Sequence, residues 1–263
     1  MSFFPLCSVL KTKGFCTMHN FSPNTWEKIT PSNKTIWALY TDGQKWISKE
    51  LDYLQKGETK TYYYDDFGIK KESKRSPIIL LQFRKSPLSG NLDTLPLHEF
   101  KFTKTPEWRS TVGFQLNNSQ TSYQGEINPF PQKASLLTFH PFIQYNNVEN
   151  HFVFLNVEAS PIYRKAEIEI YNSETKILVD KVNILNNHAN VIPLNKYGFK
   201  QNELPLFICR SMAGIPFGFG ISKTKEMLSM EHTHPPASFV IHGERFLVQK
   251  QIKQNWFNLL KTQ

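Results

Sequence analysis

Short apolar segments separated by turn residues make up most of the chain. Residues 35–40, 78–83, 151–157 and 206–210 are rich in β-branched, aromatic and other apolar residues, and the dipeptide Asp42-Gly43 is a hairpin signal. In residues 166–170 glutamates alternate with aliphatic residues, which places the carboxylates in water and the aliphatic side chains inside. The pattern predicts an all-β protein.

One stretch near the end of the chain has the period of a helix. Val248, Ile252, Trp256 and Leu259 recur at intervals of three and four residues. This spacing predicts an amphipathic helix from Glu244 to about Leu260, with its apolar stripe docked on the preceding strands.

Residues 214–220 are rich in glycine. They lack the spacing of a phosphate-binding loop, and no helical pattern follows them directly. We therefore predict a bulged or tightly turned strand in this segment.

The two halves of the chain share a pattern. When Tyr40 is placed on Tyr171, an offset of 131 residues, residues 40–66 fall on residues 171–197 without a gap. We predict two similar antiparallel β-sandwich modules, residues 34–127 and 133–242, followed by a C-terminal α-helix in residues 243–263. Few positions are identical, and all-β proteins share such rhythms, so a chance likeness stays open as the alternative.

Two regions outside these modules complete the predicted organisation. Pro129 and Pro131 exclude a central strand, which places the break between the modules near residues 128–132. Residues 1–33 carry three prolines and no sustained period, so we predict an irregular lead-in. Met18 is an alternative start, and truncation to it is expected to leave the stability nearly unchanged.

Composition and charge narrow the functional classes. At 263 residues, with 40% hydrophobic content, the chain is long enough for a substantial core. The net charge of +9 comes from 25 Lys and 6 Arg spread along the chain, and diffuse lysine argues against specific nucleic-acid recognition. No apolar run is long enough for a transmembrane segment, and residues 1–10 lack the features of a signal peptide. Three scattered cysteines favour a reducing, cytoplasmic compartment.

Residues 231–242 contain three of the eight histidines. His232 and His234 would point to the same side of an extended segment. His242, with the carboxylate of Glu231 or Glu244, could complete a site for a divalent metal such as Zn, Fe or Mn. If these residues form such a site, at least two of the three imidazoles should lie within about 5 Å of one another. The alternative is that histidines beside prolines form hydrogen bonds that anchor a turn, with no metal or other cofactor.

No catalytic motif stands out, so no catalytic residue is assigned and the question of enzymatic activity stays open. Trp108 and Tyr123 are candidates for aromatic contacts with a ligand. The sequence favours a non-catalytic β-sandwich binding or accessory protein whose partner is a glycan or another protein. The alternative is a metal-dependent enzyme that uses the histidine cluster.

Overall fold

The computed structural model describes residues 3–20, 33–96, 109–140, 147–200, 203–224, 226–232 and 244–260. Within these residues the chain forms strands that pair antiparallel throughout, and a single α-helix follows them. The predicted all-β fold with a C-terminal helix is therefore confirmed.

The described residues form eighteen strands and one α-helix. The strands of the first half are β1 (Phe4–Leu6), β2 (Lys13–His19), β3 (Lys34–Thr41), β4 (Trp46–Leu54), β5 (Thr59–Tyr63), β6 (Arg75–Pro77), β7 (Ile79–Arg84), β8 (Asn91–Leu92), β9 (Arg109–Leu116) and β10 (Ser119–Gln124). The second half contains β11 (Leu136–Phe139), β12 (Val148–Leu155), β13 (Lys165–Asn172), β14 (Leu178–Leu185), β15 (His188–Pro193), β16 (Pro205–Cys209), β17 (Ile215–Ser222), β18 (Leu228–His232) and the helix α1 (Glu244–Leu259).

The strands form four sheets. The first sheet has the order β1-β7-β3-β4-β8, and the second has the order β10-β9-β2-β5. The third sheet has the order β18-β17-β12-β15-β6, and the fourth has the order β11-β16-β13-β14. The second half thus forms two sheets of its own, and only β6 from the first half joins one of them.

The strand order of the first half recurs in the second. In the first sheet the order β1-β7-β3-β4 corresponds, strand for strand, to the order β11-β16-β13-β14 of the fourth sheet. The order β10-β9-β2-β5 of the second sheet corresponds in the same way to the order β18-β17-β12-β15 of the third sheet. The exceptions are β8, which has no counterpart among the described strands, and β6, which pairs with β15 across the two halves.

The predicted irregular lead-in is wrong for the residues described before position 21. β2 lies inside the second sheet between β9 and β5, and Cys16 and Met18 on this strand are fully buried. A Cβ atom on Gly14 would lie 1.7 Å from the carbonyl oxygen of Cys7, so the close approach of the two segments requires glycine at this position. Cys16 and Met18 do alternate with Lys13, Thr17 and His19, but this short pattern drew no prediction.

Two main hydrophobic cores share the third sheet. The larger core collects side chains from the first, second and third sheets, and the smaller one lies between the third and fourth sheets. On β12, Val153 and Leu155 belong to the larger core, whereas Phe152 and Phe154 belong to the smaller. The central strands of the third sheet are therefore buried on both faces, which explains the nearly continuous apolar run in β12.

The helix α1 packs on the outer face of the fourth sheet through its C-terminal end. Trp256 and Phe257, with Leu260 just beyond the helix, contact a third cluster formed by Tyr171, Leu206 and Ile208. The predicted apolar stripe is only partly right, because Ile252 and Leu259 are 49% and 48% exposed. The side chain of Val248 lies outside the described residues.

Membrane-spanning helices are not found among the described residues. The helix α1 has 16 residues and carries several charged side chains, so it is too short and too polar for this role.

Removing residues 1–17 should prevent cooperative folding, because it deletes β1 and most of a central strand together with buried Leu6 and Cys16. We expect the truncated protein to show no cooperative thermal transition by circular dichroism. Lys11→Ala, at an exposed position, is the control and should unfold like the full chain. A truncated protein that melts within a few degrees of the full chain would show that residues 1–17 contribute little to the core, as expected of an irregular lead-in.

Trp256→Ala should weaken the docking of α1, since this ring contacts Phe139 at a centroid distance of 5.5 Å and belongs to the third cluster. For a half-buried tryptophan we expect a loss of about 2 kcal/mol in the free energy of unfolding, measured by urea denaturation. Ile252→Ala is the matched comparison on the exposed side of the helix and should change the free energy by about 0.5 kcal/mol or less. Equal losses would show that both side chains contribute to docking.

Candidate functional site

The glycine-rich segment forms a regular strand in the middle of the third sheet. β17 pairs with β12 in unbroken register from Val148↔Ser222 to Leu155↔Ile215, so the predicted bulge or tight turn is wrong. Because neighbouring residues of a strand point to opposite faces, Phe217 and Phe219 enter the larger core. Gly218 and Gly220 face the fourth sheet instead.

A cavity of about 180 Å³ lies on this glycine face of the third sheet. Its lining includes His140, Phe152, Leu194, Gly218, Ser229 and Glu231. His140, Phe152 and Leu194 are buried and form its inner end. Ser229 and Glu231 are exposed and form its rim, so the cavity leads from the surface to a buried imidazole.

His140 is the main polar feature of the inner end of the cavity. Its side chain is 1% exposed, and neither ring nitrogen has a hydrogen-bond partner among the described residues. The ring packs edge-on against Phe152, with centroids 5.1 Å apart and an interplanar angle of 73°. Phe152 in turn stacks on Phe207 at 3.8 Å. Aromatic contacts therefore fix the ring, while its polar atoms have no partner within the part of the chain that the structure describes.

Burial determines the charge of His140. Removal of the ring from water disfavours the imidazolium and lowers the pKa of His140 from 6.5 to about 4. At neutral pH the ring is uncharged and offers one N–H donor and one acceptor nitrogen. Gly218 lies directly beneath it, because a Cβ atom at this position would be 3.0 Å from Nδ1 of His140.

The first half provides an internal comparison for this cavity. The 3-10 helices Tyr64–Phe67 and Asn195–Tyr197 follow β5 and β15, and each ends at a left-handed glycine, Gly68 or Gly198. Aligning these two glycines places Tyr62 on Ile192. The cross-strand row Tyr62-Cys16-Val112-Tyr123 then corresponds to the row Ile192-Phe152-Gly218-Glu231.

The two rows differ in the volume that they fill. Gly218 occupies the place of Val112, and in the next row Gly220 occupies the place of Phe114. Val112 and Phe114 are buried in the larger core. The second half has no side chains at these positions, and both glycines line its cavity.

The structure separates the described members of the predicted metal site. Glu231 and His232 are neighbours on β18, so their side chains point to opposite faces. Glu231 lies at the rim of the cavity, whereas the ring of His232 lies 4.6 Å from that of Tyr123 and 5.9 Å from that of Phe217.

The other predicted ligands, His234 and His242, lie outside the described residues, so the metal hypothesis and the 5 Å test stay predictions. Within the part of the chain that the structure describes, no three His, Cys, Asp or Glu side chains are placed to hold a metal ion.

Tyr123 has a different role from the one predicted. It is 8% exposed and packs against Phe217 at 5.1 Å, so it is a core residue and is not available to stack on an external ligand. Burial raises the pKa of Tyr123 well above its ordinary value. Tyr123 is buried because it lies on β10, which contacts β18 of the third sheet. Trp108, the other candidate, lies outside the described residues.

The cysteines are poor candidates for nucleophiles. Cys7, Cys16 and Cys209 are all buried, and burial raises the pKa of Cys7 to about 12 and that of the other two as well. Thiols with raised pKa values carry little thiolate at neutral pH.

Comparison with protein-family models, with curated proteins and with solved structures gave no match. The cavity and its internal counterpart are therefore the observations that bear on function. Sequence reasoning missed His140 and the two glycines as site residues. The available signal was the Phe-Gly-Phe-Gly alternation of residues 217–220, which on a strand puts large side chains on one face and none on the other.

His140 should make the protein less stable in acid. Its pKa is about 4 in the folded protein and near 6.5 when unfolded, so between these values the unfolded chain binds the extra proton. Stability present above pH 6.5 is then lost as the pH falls towards 4, by about 3 kcal/mol from this residue.

His140→Leu should remove this contribution and raise the stability at pH 7 by about 1–3 kcal/mol, because an unpaired buried group is replaced by an apolar one. Urea denaturation between pH 4 and pH 7 measures both effects. Burial also lowers the pKa of His151 and His188, so a residual slope is expected in the variant. An unchanged slope would show that the pKa of His140 is not lowered in the folded protein.

Proposed function

We propose that this chain is a non-catalytic binding protein that holds a small ligand in the cavity above Gly218 and Gly220. One observation carries the proposal. Of two sets of sheets with the same strand order, one has Val112 and Phe114 at these inner positions, and the other has glycines. A space opened at corresponding positions of a repeated fold is better explained by a ligand than by imperfect packing.

The cavity lowers the stability of the protein in two ways. Glycine within a strand and a space among core side chains are each unfavourable. The nitrogens of His140, which have no partner among the residues that the structure describes, add a desolvation penalty of about 1–3 kcal/mol. Such local penalties are typical of functional sites, because a bound molecule can fill the space and pair with the ring.

The lining groups favour binding over catalysis. A general base needs a partner that orients it and a proton within reach, whereas His140 has no hydrogen-bond partner among the described residues and Glu231 is exposed on the rim. The volume of about 180 Å³ suits one ring-sized molecule. A glycan chain or a protein segment, as expected from the sequence, would need a longer groove.

The repeated strand order also supports an origin by internal duplication. In this proposal both halves derive from one sandwich, the first kept a filled interior, and the second acquired the cavity. Binding then belongs to the second half, and the first half supplies the support on which the third sheet rests.

A fragment screen tests the proposed site. Neutral, cationic and anionic compounds of up to about ten non-hydrogen atoms, the size class that such a cavity admits, are screened by ligand-observed NMR against the full chain and against Gly218→Val. The added side chain displaces His140 and takes up cavity space, so hits should bind the wild type and lose at least about tenfold in affinity to the variant.

Ile221→Val is the matched control for this screen. It lies on the same strand but faces the larger core, and should lower stability by about 1 kcal/mol without changing fragment binding. Circular dichroism confirms that each variant is folded. No fragment that distinguishes the wild type from Gly218→Val would overturn the proposed function.

A further inference from the structure

The chemistry of the cavity restricts the class of ligand. The inner end combines apolar walls with the buried imidazole of His140, whose two ring nitrogens find no hydrogen-bond partner among the described residues. The buried Asn150 and the partly buried His151 also line the cavity. The rim carries the hydroxyl of Ser229 and the carboxylate of Glu231, both exposed. A ligand must therefore place an apolar body deep in the protein and one polar group beside the imidazole.

Resting on the proposed function, we propose that the ligand is a small uncharged molecule with an apolar, ring-sized body and one hydroxyl group that hydrogen-bonds His140. Phenols and alicyclic alcohols are the simplest members of this class.

The hydroxyl group follows from the hydrogen-bonding capacity of the ring. A neutral imidazole carries one N–H donor and one acceptor nitrogen. A hydroxyl group can accept from the first or donate to the second, so it pairs with either tautomer. An ether or a ketone can only accept, and a saturated hydrocarbon would leave both ring nitrogens unpaired in a buried place.

The apolar body follows from the walls and the volume. Phe152 and Leu194 line the inner end, and Phe152 is held by its stack on Phe207. An apolar cavity of about 150 Å³ is known to accept benzene. A cavity of about 180 Å³ accommodates a six-membered ring with one substituent.

The absence of charge follows from what surrounds the inner end. An anion would need a positively charged partner, but burial lowers the pKa of His140 to about 4 and keeps its ring neutral at pH 7. The carboxylate of Glu231 at the rim also repels anions. A cationic ligand would pair only weakly with the carboxylate of Glu231, because water screens the attraction at the exposed rim. A cationic group at the inner end would face apolar walls.

Four probes of similar shape test the class. Phenol, toluene, benzylammonium and benzoate are titrated into the full chain at pH 7, and dissociation constants are measured by ligand-observed NMR. Toluene carries a methyl group in place of the phenol hydroxyl that should meet His140, so we expect phenol to bind about tenfold more tightly than toluene. The two charged probes should bind more weakly than phenol.

Two variants of His140 locate the contact. His140→Leu should lower the affinity for phenol about tenfold and leave that for toluene within twofold, because the cavity keeps its shape and loses its polar group. His140→Gln keeps a donor and an acceptor and should restore part of the phenol affinity. Ile221→Val, which faces the other core, should behave like the wild type with every probe.

The possible results separate the ligand class from the proposed function. Fragments that bind the wild type but not Gly218→Val, together with equal affinities for phenol and toluene or a preference for a charged probe, would overturn the class and keep the function. A phenol affinity that is unchanged in His140→Leu would likewise overturn the class. Phenol binding that is lost in both Gly218→Val and His140→Leu would support both proposals.

Discussion

Burial of the central strands of the third sheet on both faces is the constraint on which the rest of the structure depends. Successive residues of β12 alternate between two cores, with Phe152 and Phe154 on one side and Val153 and Leu155 on the other. All four are fully buried. A shift of one residue in its pairing would exchange the two sets of side chains, so both cores fix the register of this strand. Through Val153 and Leu155 this strand of the second half also contributes to the core of the first half, so the two halves share a hydrophobic core.

Hydrogen bonds between the halves reinforce this shared interior. The indole N–H of Trp46 donates to the carbonyl oxygen of Ala159 at 2.9 Å. The hydroxyl of Thr41 donates to the carbonyl oxygen of Pro161 at 2.8 Å. The segment that supplies these carbonyl groups is fixed by Glu158, a buried carboxylate that pairs with Arg164 and accepts a hydrogen bond from Asn186. A buried charge is tolerated only with such partners, so this ion pair fixes the segment in place.

The sequence predicted what depends on local pattern. The alternation in residues 166–170 correctly put Ile168 and Ile170 in a core, but Glu169 forms two hydrogen bonds with Arg210 on the face where α1 packs. β2 was missed because Cys16 and Met18, the apolar residues of its inner face, are weak strand signals, and buried Phe15 on the opposite face interrupts the apolar-polar alternation. The cavity was missed because it depends on which strands become neighbours. His140 and Gly218 are far apart in sequence, and no local pattern shows that one lies over the other.

Strand alternation also explains how the protein can carry a cavity beside its central strand. On one face of β17, Phe219 contacts Phe114 at 5.0 Å and Phe217 contacts Tyr123 at 5.1 Å, and these pairs anchor the strand to the second sheet. On the other face the glycines contribute no side chains, so the space beside His140 can be reshaped without loosening those aromatic contacts. The anchoring of the strand and the proposed binding of a ligand thus depend on different side chains. Substitutions at Gly218 should therefore change binding more than stability, and those at Phe217 or Phe219 should have the reverse effect.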